Sequence, residues 1–135
     1  MSRAARLGGL LLLLVVAGCA RDDDYLDVMR EQRAAWKEMA DILETVKDEK
    51  SMAEAQKTLA GKSEKYAAIA RKAKALPNPP PPGVAEQMNQ QKFVVQEAVK
   101  RLATEADRVS KMPGGKDFLK QFESSSSGLM TAVQQ

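Results

Sequence analysis

Residues Tyr25, Met29, Gln32, Trp36, Met39, Leu43 and Val46 follow one another at steps of four, three, four, three, four and three. Side chains so spaced share one face of a helix and cannot share one face of a strand, whose period is two. Val28, Ala35 and Ile42 widen the stripe, and Gln32 is its one polar member. The spacing predicts a helix from about residue 24 to residue 47. Aspartates at 22 to 24 precede it, where negative charge suits the amino-terminal end of a helix dipole.

That register cannot continue past Val46, because it would draw Lys50 into the seam and leave Met52 outside. A turn is therefore expected near residues 48 to 50. Ser51-Met52-Ala53-Glu54 fits a capping box that starts a second helix. Its seam is Met52, Ala55, Leu59, Tyr66, Ile69, Ala73 and Leu76, with Lys62 as the polar exception. Gly61 weakens the middle by about 1 kcal/mol relative to alanine. Proline then occupies five of the seven positions from Pro77 to Gly83. Such a run excludes helix and favours extended polyproline, and we read it as a stiff connector in preference to a docking motif. A third helix is expected from about 84 to 112, with the seam Val84, Met88, Gln91, Val95, Ala98, Leu102, Ala106, Val109 and Met112, broadened by Phe93, Val94 and Val99. Pro113-Gly114-Gly115 stops it. A short final helix follows with Phe118, Leu119 and Phe122 on one side, and Ser124 to Gly128 is flexible by composition.

Three amphipathic segments of similar length must cover one another's stripes. The expected fold is all-α: a three-helix antiparallel bundle, up-down-up and coiled-coil-like, with a short carboxy-terminal fourth helix. The bundle spans 25–112 with its proline-rich connector at 77–83, and 113–135 forms the short amphipathic helix and tail. Charge agrees with a hairpin of the first two helices. Residues 22–48 hold nine acidic and four basic residues, whereas 49–76 hold three acidic and seven basic. Antiparallel pairing brings Arg71, Lys72 and Lys74 towards Asp22 to Asp24 and Asp27. Exposed pairs of this kind contribute under about 1 kcal/mol each, so they choose partners more than they stabilise.

The residue inventory removes several chemistries. There is no histidine, and the single cysteine is Cys19. Imidazole and thiolate are the usual ligands of zinc, copper and haem iron, so no such metal and no cofactor is expected in the body. A Ser-His-Asp triad cannot be built, and Pro113-Gly114-Gly115-Lys116 lacks the phosphate-loop pattern. Methionines Met29, Met39, Met52, Met88 and Met112 lie on seams, where they fill core gaps. Gln32 and Gln91 read as polar layers that fix register. Tyr25 and Trp36 are the residues best suited to face a pocket or a partner, having apolar bodies with one polar handle each.

The amino-terminal region gives an address. Arg3 and Arg6 precede an apolar run from Leu7 to Ala17. Eleven helical residues span only about 17 Å, too short for a hydrocarbon core of about 30 Å, so the run reads as an export signal. It ends in Val16-Ala17-Gly18-Cys19, an aliphatic residue, two small residues and a cysteine. These four positions resemble the lipobox of bacterial lipoproteins. The resemblance implies cleavage between Gly18 and Cys19, removing 1–18, with diacylglycerol on the Cys19 thiol. It implies a lipidated amino terminus and tether over 19–24. The next residue, Ala20, is not aspartate, which in hosts with two membranes favours the outer one. Arg3 and Arg6 leave with the signal, so the 21 Lys and Arg fall by two against 18 Asp and Glu, leaving a net charge near +1. That balance gives no case for nucleic-acid binding.

The sequence thus points to a non-enzymatic, membrane-anchored, extracytoplasmic lipoprotein that binds an envelope protein or supports envelope structure. The heptad seams can also pair between copies, giving a homo-oligomer. The alternative reading is a helical bundle that binds a small molecule or lipid.

Overall fold

The computed structural model describes residues 21–126 and Leu129. Those residues are all-α: α1 (Asp22–Glu44), α2 (Glu49–Ala75), α3 (Pro82–Gln90), α4 (Lys92–Ser110) and α5 (Gly115–Ser125), with no strand among them. The proposed signal segment and Cys19 lie outside the described residues.

Helix α1 begins where its charge predicts. The Arg21 backbone N–H donates to the Asp24 carboxylate at 2.9 Å, and Asp22, Asp23 and Asp24 fill the first turn. Tyr25, Trp36, Met39, Leu43 and Val46 of the seam are buried, as are Val28, Ala35 and Ile42, while Met29 and Gln32 are half-buried. Ala40 is buried as well. At 100° per residue, the arc from Ile42 to Ala40 covers roughly 160° of the helix, wider than one partner can cover.

Helix α2 starts earlier than the expected Ser51 cap. Asp48 is the N-cap: the Ser51 amide donates to its Oδ1 at 2.8 Å, and the Asp48 amide donates to Ser51 Oγ at 2.9 Å. Ser51 therefore closes a reciprocal box from within the first turn, and Glu54 takes no part. The hydrogen bond from the Ser51 amide, then that from its hydroxyl, hold the Asp48 carboxyl below its ordinary value. An aspartate carries a full charge to the amide cluster where serine carries a dipole, so Asp48 is the stronger cap.

The first two helices lie antiparallel. The Tyr25 hydroxyl at the start of α1 donates to the Pro77 carbonyl just past α2 at 2.7 Å. Further along, Lys72 pairs with Glu31 at 2.9 Å and Lys65 with Glu38 at 3.0 Å. The expected pairing of the basic cluster with Asp22 to Asp24 is not the one formed. Lys72 reaches Glu31, and Arg71 pairs with Glu64 of its own helix.

The expected single helix from 84 to 112 is two helices. Gln91 separates them, with φ −89° and ψ −4°, at the edge of the right-handed helical region. The break is a kink: the Gln91 amide still donates to Met88 O, and its carbonyl accepts from the Val95 amide. Asn89, Gln90 and Gln91 supply no apolar side chain to hold a straight rod against α1. The connector is shorter than expected, because Pro82 opens α3 at a first-turn position that needs no N–H. The side chains of Arg101 and Arg108 fix α4 on α1. Arg101 bridges Asp41, at 2.7 Å, and Glu44. Arg108 donates to the Val46 and Leu43 carbonyls, each at 2.8 Å. Helix α1 has no basic residue in its own last turn, so α4 supplies the cation that satisfies these carbonyls.

Helix α5 turns back over α2 and α4. Phe118 and Phe122 enter the core with ring centroids 6.1 Å apart, and Leu129 is buried beside Trp36, whose Nε1–H donates to the Leu129 carbonyl at 3.0 Å. The stretch expected to be flexible from Ser124 is partly structured: Ser124 and Ser125 are helical and Ser126 is fully buried. Phe93 and Val94 do not broaden the third seam; they are 71% and 40% exposed. Phe93 stands about 160° around the helix from Val95, which faces α1.

The turn into α5 requires both of its glycines. Gly114 has φ +76°, and a Cβ on Gly115 would lie 1.8 Å from the Val109 carbonyl oxygen. Gly61, by contrast, is exposed in the middle of α2 with nothing within 4 Å of a Cβ. We expect Gly115→Ala to lower unfolding stability by about 2 kcal/mol or more, through backbone displacement. Gly61→Ala should raise it by about 0.5–1 kcal/mol. Urea unfolding followed by helical circular dichroism measures both, and equal effects at the two positions would contradict this packing.

Candidate functional site

The two aromatic residues singled out by the sequence converge. Tyr25 and Trp36 stand three turns apart on α1 and line one cleft of about 350 Å³, together with Met29 and Gln32 from the same helix. Leu76 at the end of α2, Pro77 and Pro80 of the connector, Met88 of α3 and Val95 of α4 complete its walls. A neighbouring hollow of about 620 Å³ shares Met29, Pro80, Met88 and Val95 with it, and the two form one groove.

Both polar handles are already used. The Tyr25 hydroxyl is spent on Pro77 O and the Trp36 N–H on Leu129 O. Tyr25 is 5% and Trp36 6% exposed, so the rings wall the groove more than they project from it. The remaining surface is thioether, proline and aliphatic carbon, edged by the Gln32 and Asn78 amides. Such a lining suits a hydrocarbon or aromatic occupant, while Glu86, Asn89 and Lys92 line the adjoining hollow. Gln91 is half-buried at the helix kink and does not join the groove. Gly18 and Cys19 lie outside the described residues. The connector and α3 residues of the groove were not foreseen as one site. Met29, Met88 and Val95 stood on predicted seams, but nothing in a single seam tells which of its members face a neighbour and which face a gap.

A larger hollow of about 1050 Å³ opens at the other end of the molecule, between α2 and α5. Met52, Met112 and Phe118 form its floor, while Lys47, Lys57, Asp48 and Asp117 ring it with charge of both signs. Its mixed rim selects no ligand class. Gln56 Oε1, on its wall, is buried without a hydrogen-bond partner among the described residues.

Asp48, on the rim of the larger hollow, is spent as a helix cap, and two other perturbed groups, Tyr66 and Glu38, lie away from both spaces. Tyr66 is fully buried and donates to Glu38 Oε1 at 2.8 Å, while Lys62 and Lys65 approach the same carboxylate at 3.2 and 3.0 Å. Burial, then the hydrogen bond to Glu38, pushes the Tyr66 phenol far above its usual range. Burial also acts to raise the Glu38 carboxyl, but the hydrogen bonds from Tyr66, Lys65 and Lys62 together outweigh it and hold the carboxyl below its ordinary value. This cluster clamps α2 to α1 in register. It lines neither of those two spaces and reads as structural.

No protein-family model, curated protein or solved structure matches the chain.

The sign of the Glu38 shift sets its pH dependence. With the folded carboxyl more acidic than the unfolded one, its stabilisation is present above the ordinary value of 4.5 and is lost as pH falls through the folded value. Glu38→Gln should therefore unfold at lower urea than the native chain near pH 7, and the gap should narrow as pH falls below 4.5. A gap that widens on acidification contradicts the assignment.

Proposed function

We propose that this chain is a lipid-anchored, extracytoplasmic envelope protein, held on a membrane through Cys19, with a helical body that binds a partner or supports envelope structure and performs no catalysis. The reading rests on the Val16-Ala17-Gly18-Cys19 sequence, which follows a basic start and an apolar run too short to span a bilayer. A second feature is compatible with it. Helix α1 begins at Asp22, only three residues after Cys19, so the folded body would stand directly on its anchor. Stable anchoring takes more than one acyl chain, and a diacylated cysteine satisfies that. In a host with two membranes, Ala20 after the cysteine favours the outer one.

For the body, we read α1, α2 and the kinked pair α3–α4 as the three arms of an up-down-up bundle, with α5 as a cover. The antiparallel contacts of α1 with α2 and the matched order of Arg101 and Arg108 along α1 support this reading. Phe93 and Val94, exposed on α4, are the residues with which an envelope protein or a second copy would most readily engage. A second reading, that the bundle binds a lipid or other apolar small molecule, is favoured by the groove between Tyr25 and Val95.

Metabolic labelling in a bacterial host tests the anchor. Palmitate should enter the native chain and not Cys19→Ala, and the native chain should sediment with membranes while the variant is released. Absence of label, or a variant that stays in the membrane pellet after high-salt washing, overturns the proposal.

A further inference from the structure

The groove beside Tyr25 has the length, lining and position of a receptor for one hydrocarbon chain. It follows α1 from Tyr25 to Trp36, eleven residues or about 16 Å of helix. One acyl chain spans half of a bilayer's hydrocarbon core, about 15 Å. Its surface beside α1 is mostly carbon and sulfur, with the Gln32 and Asn78 amides at its edge and Glu86, Asn89 and Lys92 on the adjoining hollow, and the two polar atoms that its aromatic residues carry are both satisfied inside the protein. Met29 and Met88 face each other across it as half-buried side chains, and unbranched thioethers adapt to a flexible chain better than branched side chains do.

Position selects the occupant. The Tyr25 end of the groove is the end nearest Cys19, six residues earlier in the chain. Three extended residues from Cys19 to Asp22 reach at most about 10 Å, so a chain attached at Cys19 is confined to the neighbourhood of the groove. A ligand tethered at that range has an effective concentration on the order of millimolar, which no free lipid in an aqueous compartment approaches. We propose that the groove between α1, the proline connector and α3 receives one of the acyl chains carried by Cys19. This deepens the lipid-anchor reading and depends on it. The bilayer competes for the same chain, so the groove shelters it chiefly when the protein is off the membrane.

The test uses the full chain produced in a bacterial host fed palmitic acid that bears a diazirine and an alkyne. The protein is purified in mild detergent, its intact mass is measured, and it is irradiated and digested. The expected result is an acylated mass, with an intramolecular crosslink from Cys19 to peptides containing Met29, Met88 or Val95. Met88→Glu and, independently, Met29→Gln should keep the acylated mass and the helical spectrum but lose at least tenfold in that crosslink. An acylated mass whose label reaches only detergent or lipid overturns the groove assignment and leaves the anchor intact. An unacylated mass overturns both. The same probe added as free acid to Cys19→Ala protein gives the remaining comparison: labelling of the groove as efficient as in the native chain would make it a general fatty-acid site and defeat the assignment to the protein's own lipid.

Discussion

Helix α1 carries more apolar surface than a single neighbour can cover, and the packing follows from that excess. Its buried arc runs from Ile42 through Met39 and Trp36 to Ala40. Helix α2 covers one flank, α3 and α4 the other, and α5 folds back to place Leu129 against Trp36. Removing a buried leucine such as Leu43 from a core of this kind costs about 2–5 kcal/mol. The ion pairs along the α1–α2 and α1–α4 seams are largely exposed and contribute at most about 1 kcal/mol each. Packing therefore supplies the stability, and the charges choose which helix lies where and in which register.

The polar contacts that do reach inside each solve a specific backbone or burial problem. Arg108 satisfies the last carbonyls of α1, which carry partial negative charge and have no basic neighbour on their own helix. Glu38 gives the buried Tyr66 hydroxyl an acceptor, and two lysines keep that carboxylate charged. Tyr25 and Trp36 turn their donors to the backbone of the connector and of the carboxy-terminal segment. As a result the connector and the tail are fastened to α1 by hydrogen bonds at the two places where its apolar face would otherwise meet solvent. Between Tyr25 and Trp36, Pro77 and Pro80 of the connector wall the groove opposite α1.

Periodicity made the helices legible. The seam residues of α1 and α2 are buried or half-buried at every expected position, and the phase change between Val46 and Met52 marks the turn. The details that escaped depend on contacts between segments. The kink at Gln91 has no proline or glycine to announce it. Ser51 and Glu54 fit a capping pattern, but Asp48, three residues earlier, offers the Ser51 amide a full charge and starts the helix there. The outward position of Phe93 follows from helical angle relative to Val95 once α4 has its own register, not from hydrophobicity. Arg108 stands 62 residues from Val46 in sequence, and no local pattern links them. The site was legible to the same extent: Tyr25 and Trp36 were selected from their chemistry, whereas Pro80 and Met88 join them only through the way the connector and α3 lie against α1.

If α1 is the element on which the others depend, its centre should open only when the whole molecule unfolds. Native-state hydrogen exchange on the mature protein, followed amide by amide with added denaturant, measures this directly. The account predicts that Met39, Ala40 and Leu43 exchange at the global unfolding free energy, with the same denaturant dependence, while α3 exchanges through smaller openings. Exchange of those α1 amides through an opening that leaves α2 and α4 protected would contradict it.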